Sequence, residues 1–236
     1  MMRLDKLIGE LNIATRSMAK DIIRKGLIKV DDIVINKPEE KVDENKVTIS
    51  YQGQLYKYLK FRYFIMNKPA GLVSATKDNL DKTVIDLFNE LIDFTHKNDY
   101  FPAGRLDKDT EGLLLITNDG ALAHRLLSPK YHVEKIYYVE TKNSISDNDI
   151  SCIEKGIDLG DFVSKEGKVK LISDRCCELT ITEGKFHEVK RIFKSLGNEV
   201  TYLKRISFGG INLPEDLDKG YIRELSIDEI NTLKDK

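Results

Sequence analysis

The chain has 236 residues, 41% hydrophobic and 33% charged, with a formal net charge of -1. That length can bury one large or two modest cores, and the balanced charge excludes a uniformly basic nucleic-acid binder without excluding local basic stripes. Two such stripes exist, with 12 Lys and Arg against 9 Asp and Glu through residue 60, and 6 against 2 over residues 184–205. The three cysteines, Cys152, Cys176 and Cys177, form neither a disulfide framework nor a zinc spacing, and the four histidines are scattered singly, so no metal is expected. No apolar run reaches the length of a membrane span and the N-terminus lacks a leader pattern, so a cytoplasmic protein with no membrane partner is expected.

In chain order, Leu4, Leu7, Ile8 and Leu11 recur at helical spacing, and Thr15 or Ser17 can cap a second helix whose Ile22 and Ile23 face inward. Arg16, Lys20 and Arg24 follow at intervals of four, a cationic stripe along that helix. Gly26 ends it, and residues 27–35 read as a strand, a tight Asp31-Asp32 turn and a strand. A basic helix beside a small hairpin suits an RNA backbone, where cations displace counterions without reading sequence, although charge stripes are more commonly plain solvated faces.

This first stretch resembles an S4-type RNA-binding domain. The resemblance rests on residues 2–7 (Met2 to Leu7), on Thr15, Arg16, Ser17 and Lys20, on Gly26 to Val30, and on Val34 to Asn36. It implies RNA contacts from Arg3, Arg16, Ser17, Lys20 and Arg24. The expected organisation is an S4-like domain over 1–50, a short hinge over 51–61, which contains one Gly and no Pro, and a larger body over 62–236.

The body opens with a β-type run, Tyr63 to Met66, stopped by Pro69 and Gly71. Helices are expected from Thr83, over Gly120 to Leu127, near Ser146 to Asp149, and over Phe186 to Leu196. Strands are expected over Val133 to Thr141, Cys176 to Thr182 and Glu199 to Ile206. Ser226 with Glu229 signals a capping box for a C-terminal helix. Helices and strands mix without regular alternation, so the fold class is α+β, with a largely antiparallel sheet.

Residues 104–120 place Arg105, Asp107, Asp109 and Glu111 ahead of the apolar run Leu113 to Ile116. A carboxylate held beside a cation stays ionised and can serve as nucleophile or base. An ordinary loop salt bridge feeding a core strand has the same pattern.

The whole segment 104–120 resembles the catalytic motif of the RsuA, RluB and RluF branch of the pseudouridine synthases. Asn67 to Gly71 resembles that family's first motif, Glu134 to Tyr137 its lysine and tyrosine motif, and Glu183 to Phe193 its third motif. The resemblance implies isomerisation of uridine in RNA to pseudouridine, the N1–C1′ bond being broken and the sugar rejoined through C5. Asp107 matches the family's aspartate, which adds to C1′ or abstracts a proton at C2′; the residues leave both routes open. Tyr137 matches the tyrosine that stacks on the target base. Arg105 is expected to fill the space of the flipped nucleotide or to hold a phosphate, the bland version being a salt bridge to Asp109 or Asp119.

The resemblance implies that the third motif supplies the cation beside Asp107. With Val189, Ile192, Phe193 and Leu196 on the buried face at 100° per residue, Lys190 falls on its flank and Arg191 points nearly away. Lys190 is therefore the expected ion-pair partner, and Arg191 a phosphate contact. Many relatives carry arginine at the pairing position, so the lysine is a departure. Lys68, in the first motif, is expected to be structural or to contact RNA.

Arg205 to Leu213 and the third motif resemble the RsuA members most, which implies a uridine of 16S ribosomal RNA, naked or in a small-subunit assembly intermediate, modified by a monomer. A 23S substrate is the nearest alternative. The reaction involves no redox change or group donor, so no cofactor is expected. Two other classes share some of these features: an RNA-binding assembly factor without chemistry, and a nucleoside glycosidase, which would show a second catalytic carboxylate.

Overall fold

In the computed structural model, which describes residues 1–92 and 100–236, the chain forms two compact units, one holding Met1–Arg62 and the other Tyr63–Leu91 with Tyr100–Lys236. The first contains β1 (Met2–Arg3), α1 (Leu4–Glu10), α2 (Arg16–Arg24), β2 (Ile28–Val30), β3 (Ile33–Val34), β4 (Lys41–Val42), β5 (Thr48–Tyr51) and β6 (Gln54–Lys57). Thr15, rather than Ser17, caps α2, its hydroxyl accepting from the Met18 amide at 3.4 Å. Asp31 and Asp32 both take positive φ, 47° and 66°, the backbone that a two-residue hairpin turn demands. Leu7, Ile8, Ala19 and Ile23 pack from the helices onto Ile28, Val30 and Ile49 of the sheet.

The stretch 51–61 expected as a hinge contains the strand β6, Gln54–Lys57. Gln52 and Gly53 turn the chain with φ of 51° and 81°, and β6 pairs antiparallel with β5 from Thr48↔Lys57 to Tyr51↔Gln54. Tyr56 and Tyr58 pack against the head core, and that burial holds the segment in the sheet.

The second unit contains β7 (Tyr63–Lys68), α3 (Val84–Leu91), β8 (Phe101–Ala103), β9 (Glu111–Thr117), α4 (Gly120–Leu127), β10 (Lys135–Thr141), α5 (Asp147–Lys155), β11 (Lys168–Ser173), β12 (Cys176–Ile181), α6 (Glu188–Ser195), β13 (Val200–Phe208), β14 (Ile211–Asn212), β15 (Ile222–Glu224) and α7 (Ile227–Lys234). Among the described residues its sheet has nine strands, ordered β11-β12-β10-β13-β9-β7-β15, with β14 beside β13 and β8 beside β9. Every pairing is antiparallel except β13 with β9. The fold is α+β, as expected.

β7 and β9 are buried along their whole lengths. Tyr63, Ile65, Leu113 and Leu115 enter a core with Leu122, Leu126 and Phe208, while Phe64 meets Phe88 and Tyr100 with ring centroids 5.2 and 5.8 Å away. A sheet covered on both sides gives continuous apolar runs rather than alternation, which is how both segments read. The parallel contact is tight: Gly112 lies opposite Arg205 with φ of 101°, and a Cβ there would sit 2.2 Å from the Arg205 carbonyl oxygen. This glycine lets the segment that follows the Asp107 loop lie directly against β13.

Local rules place the helices. Asp119 caps α4 by accepting from the Leu122 amide at 3.0 Å, and Ser146–Asp149 and Ser226–Glu229 form complete capping boxes on α5 and α7. α6 begins two residues later than its apolar spacing suggests. His187 is left-handed, with φ of 51°, and the Glu188 carboxylate accepts from the Lys185 amide at 2.9 Å, which folds 185–188 into a turn. No helix among the described residues is long and apolar enough to cross a membrane.

Candidate active site

The loop between β8 and β9 carries Arg105, Asp107 and Asp109, and buried groups hold its backbone. Ser74 donates its hydroxyl to the Leu106 carbonyl at 2.8 Å and accepts from the Leu106 amide at 3.0 Å. The Lys68 ammonium donates to the carbonyls of Thr110 (2.8 Å), Pro69 and Asp107 (both 3.1 Å) and Lys108 (3.3 Å). Lys68 is completely buried, and burial pushes its pKa down to about 8 against the pull of Asp109, Asp107 and Glu111. Of the two roles expected for Lys68, structural or RNA-contacting, the enclosed ammonium fits the structural one, since it holds the shape of the Asp107 loop.

Opposite this loop stands the first turn of α6. Lys190 Nζ lies 2.9 Å from Asp107 Oδ2 and 2.6 Å from Asp109 Oδ1, so one ammonium bridges two carboxylates. Partial burial works against the charge on Lys190, but the two aspartates outweigh it and leave the pKa raised. For Asp109, partial burial is outweighed by Lys190, which holds its carboxyl below the usual range. The helical-wheel choice between the two cations thus agrees with the geometry. Arg191 faces elsewhere, donating to Asp161 and, at 2.8 Å, to the Leu159 carbonyl, with its guanidinium 4.9 Å from the Phe162 ring. Asp161 meets the charge of Arg191, and the 159–162 loop fixes its position.

Tyr137 lies on β10, opposite Arg205 of β13 and Leu179 of β12. It is mostly buried, at 7% exposure, and lines a narrow cleft of about 50 Å³ together with Arg105, Asp107, Ile181, Lys190 and Leu203. Asp107 also opens onto a wider trough of about 490 Å³ lined by Ala70, Gly71, Lys108 and His187. Arg105 is exposed on the cleft rim and makes no ion pair among the described residues. The bland alternatives for it fall away, since Asp109 is taken by Lys190 and Asp119 by Tyr63 and the α4 cap.

His187, to which sequence reasoning assigned no role, brings Nε2 within 3.5 Å of Asp107 Oδ1. Its left-handed backbone was not foreseeable from residue type alone, and it is this backbone that turns the imidazole to the loop. Thus one edge of the Asp107 carboxylate meets an ammonium and the other an imidazole, while the group keeps about a quarter of its surface exposed. A carboxylate in this setting can attack an electrophilic carbon or take a proton from a substrate placed in the cleft.

In the first unit, Arg3 forms two hydrogen bonds to Asp5, at 3.1 and 2.9 Å, and Arg16 approaches the same carboxylate at 3.9 Å. Arg16, Ser17, Lys20 and Arg24 all lie on the exposed side of α2, opposite buried Ala19 and Ile23. The stripe seen in the sequence is a real solvent face, with Arg24 only loosely paired to Asp21 at 4.0 Å.

Comparison with known proteins places these features in a family. Residues 62–195 match the model described as RNA pseudouridylate synthase, and residues 2–47 match the S4 domain. The chain is 43% identical over 239 residues to the uncharacterized RNA pseudouridine synthase YtzG of Bacillus subtilis, covering 99% of each. It is 37% identical over 233 residues to ribosomal small subunit pseudouridine synthase A of Escherichia coli, covering 97% of this chain and 98% of that one. A solved structure described as a pseudouridylate synthase superposes with a TM-score of 0.69 at 34% identity, covering 99% of this chain and 100% of the other.

Proposed function

Because the chain belongs to the RsuA-type RNA pseudouridine synthases with an N-terminal S4 domain, and is therefore an isomerase acting on RNA, we propose that its substrate is a uridine of 16S ribosomal RNA and that Asp107 is the nucleophile or base. The observation that carries the site assignment is the Asp107 carboxylate, ion-paired to Lys190 at 2.9 Å and facing the cleft that Tyr137 lines. Relatives named for the small ribosomal subunit, at 36–37% identity over nearly the whole chain, support the 16S assignment.

In this reading the exposed stripe Arg16, Ser17, Lys20 and Arg24, with Arg3 beside it, supplies sequence-independent phosphate contacts. The target uridine leaves its stack, a step that costs a few kcal/mol, and Arg105 at the rim takes up the space or the phosphate it vacates. Tyr137 supports the uracil face. Asp107 then either adds to C1′ or takes the C2′ proton. The N1–C1′ bond breaks and uracil turns; C5 then bonds to C1′ as the Asp107–C1′ bond breaks or, on the other route, as the proton returns to C2′, and the C5 proton is lost as N1 gains one, so no atom is gained or lost overall. Lys190, 2.9 Å from Asp107, sets a positive charge against the reacting carboxylate.

The test is to map pseudouridine in both ribosomal RNAs from a strain lacking the protein. The expected result is one missing site in 16S RNA, restored by the wild-type gene. A missing 23S site would move the substrate to the large subunit, and unchanged maps of both RNAs would reject ribosomal RNA as the substrate.

A further inference from the structure

Phe186 lies two residues before α6 and is 76% exposed, although burying a phenyl ring would gain the chain apolar stabilisation. Its ring is not loose. It stacks on His187 with centroids 3.8 Å apart and planes 19° from parallel, which covers one face and leaves the other open. The turn beneath is held by the Lys185 amide donating to Glu188, by the Glu188 amide donating to the Lys185 carbonyl at 3.2 Å, and by the left-handed backbone of His187. Lys185 is fixed in turn, its ammonium 3.8 Å over the Phe162 ring and 3.5 Å from Glu183. Through His187 the stacked pair reaches Asp107 at 3.5 Å. A flat apolar surface therefore stands one side chain from the reacting carboxylate, with the cations Lys185 and Lys190 close by.

We infer that Phe186 is a binding site for a nucleobase flanking the target uridine. The inference rests on the reading of Asp107 as the reactive group. Flipping the target removes a stacking partner from each neighbouring base and leaves a π-face open to water. That neighbour is one nucleotide from Asp107, where Phe186 presents a rigid ring already backed by an imidazole. Any base can stack there, so the contact strengthens binding and orients the strand without demanding one sequence. Because Phe186 already stacks on His187, less side-chain freedom is lost when a base stacks on its other face.

The test uses the full-length protein and RNA containing the mapped uridine, with turnover and KM measured for Phe186→Tyr, Phe186→Leu and Phe186→Ala. Tyr should remain within about threefold of wild type. Leu and Ala should raise KM by about tenfold, with kcat changed far less. Substrates with an abasic nucleotide on the 5′ or 3′ side of the uridine supply the decisive arm. At one of the two positions the abasic change should weaken wild-type binding by about tenfold and leave binding by Phe186→Leu unaltered. If Leu equals wild type, the site is not a stacking site. If the abasic change weakens wild type and the Leu variant equally on both sides, the ring contacts no flanking base; either result overturns the inference. A wild type that makes no pseudouridine in this RNA instead rejects the functional reading on which the inference stands.

Discussion

Two aspartates in this chain meet cations in opposite ways. Asp5 in the S4 unit is fully buried and gripped by two nitrogens of Arg3, with Arg16 nearby. Asp107 in the body is about a quarter exposed, bound at one oxygen by a lysine it shares with Asp109 and approached at the other by His187. A two-point guanidinium contact satisfies a carboxylate and fixes its plane. A point-charge ammonium stabilises the charge but leaves lone pairs free. The first arrangement anchors a helix start; the second leaves a carboxylate able to react. An ion pair in a sequence is therefore not itself a sign of chemistry, and the exposure and partner geometry separate the two.

Breaking each pair should show this contrast. Asp107→Asn removes the charge at constant shape, so isomerisation is expected to vanish while RNA affinity stays within about tenfold, or about 1.4 kcal/mol. Pseudouridine formation and filter binding read the two quantities, and an active Asn variant would end the assignment of Asp107. Asp5→Ala should do the reverse. It leaves Arg3 and Arg16 without their carboxylate but still solvated, so destabilisation of the S4 unit by about 2 kcal/mol is expected, below the cost of breaking a fully buried pair. Chemical denaturation should show it, with kcat at saturating RNA unchanged.

Acid sharpens the same comparison. The Arg3 hydrogen bond holds the Asp5 carboxyl below its ordinary value of 3.8 despite burial. The folded state thus binds this proton less readily than the unfolded chain, and the stabilisation is complete above pH 3.8 and lost as the pH falls through the folded value. The stability gap between wild type and Asp5→Ala should therefore be constant at neutral pH and narrow below about pH 4; a gap that widened in acid would contradict the pairing.

Smaller effects are expected at the shared lysine. Lys190→Met should lower kcat by about a hundredfold, within the range for an electrostatic contact to a reacting group. Lys190→Arg should recover part of this loss, since the charge returns in a different shape. Asp109→Asn should change kcat by no more than about tenfold, because Lys190 keeps its pair with Asp107. A larger loss in single-turnover measurements would make Asp109 a partner of equal weight.

Much of this was legible because it is local. The α4 helix from Gly120, the Asp31-Asp32 turn, the Ser226–Glu229 box and the flank position of Lys190 all follow from residues within one or two turns of one another. The motifs around Asp107 and Lys190 pointed to one site before any distance was known. Other features depended on distant segments. Lys68 reads as structural or as an RNA contact until the fold wraps four carbonyls around it, and the partner of Arg191 is defined only by the 159–162 loop. The two-residue strands β1 and β4 have no period to read, and only their pairing defines them.

The division has one physical cause. Helix faces, caps and tight turns depend on dihedral preferences and side chains a few residues apart, so the chain by itself specified the S4-like helices, the α+β class and the flank position of Lys190, whereas its pairing with Asp107 was implied by the family resemblance. Strand neighbours and the burial of charge depend on which distant segment comes to lie alongside. Only the tertiary structure could bring Gly112 against the Arg205 backbone, enclose Lys68, and turn His187 to Asp107 with Phe186 exposed beside it.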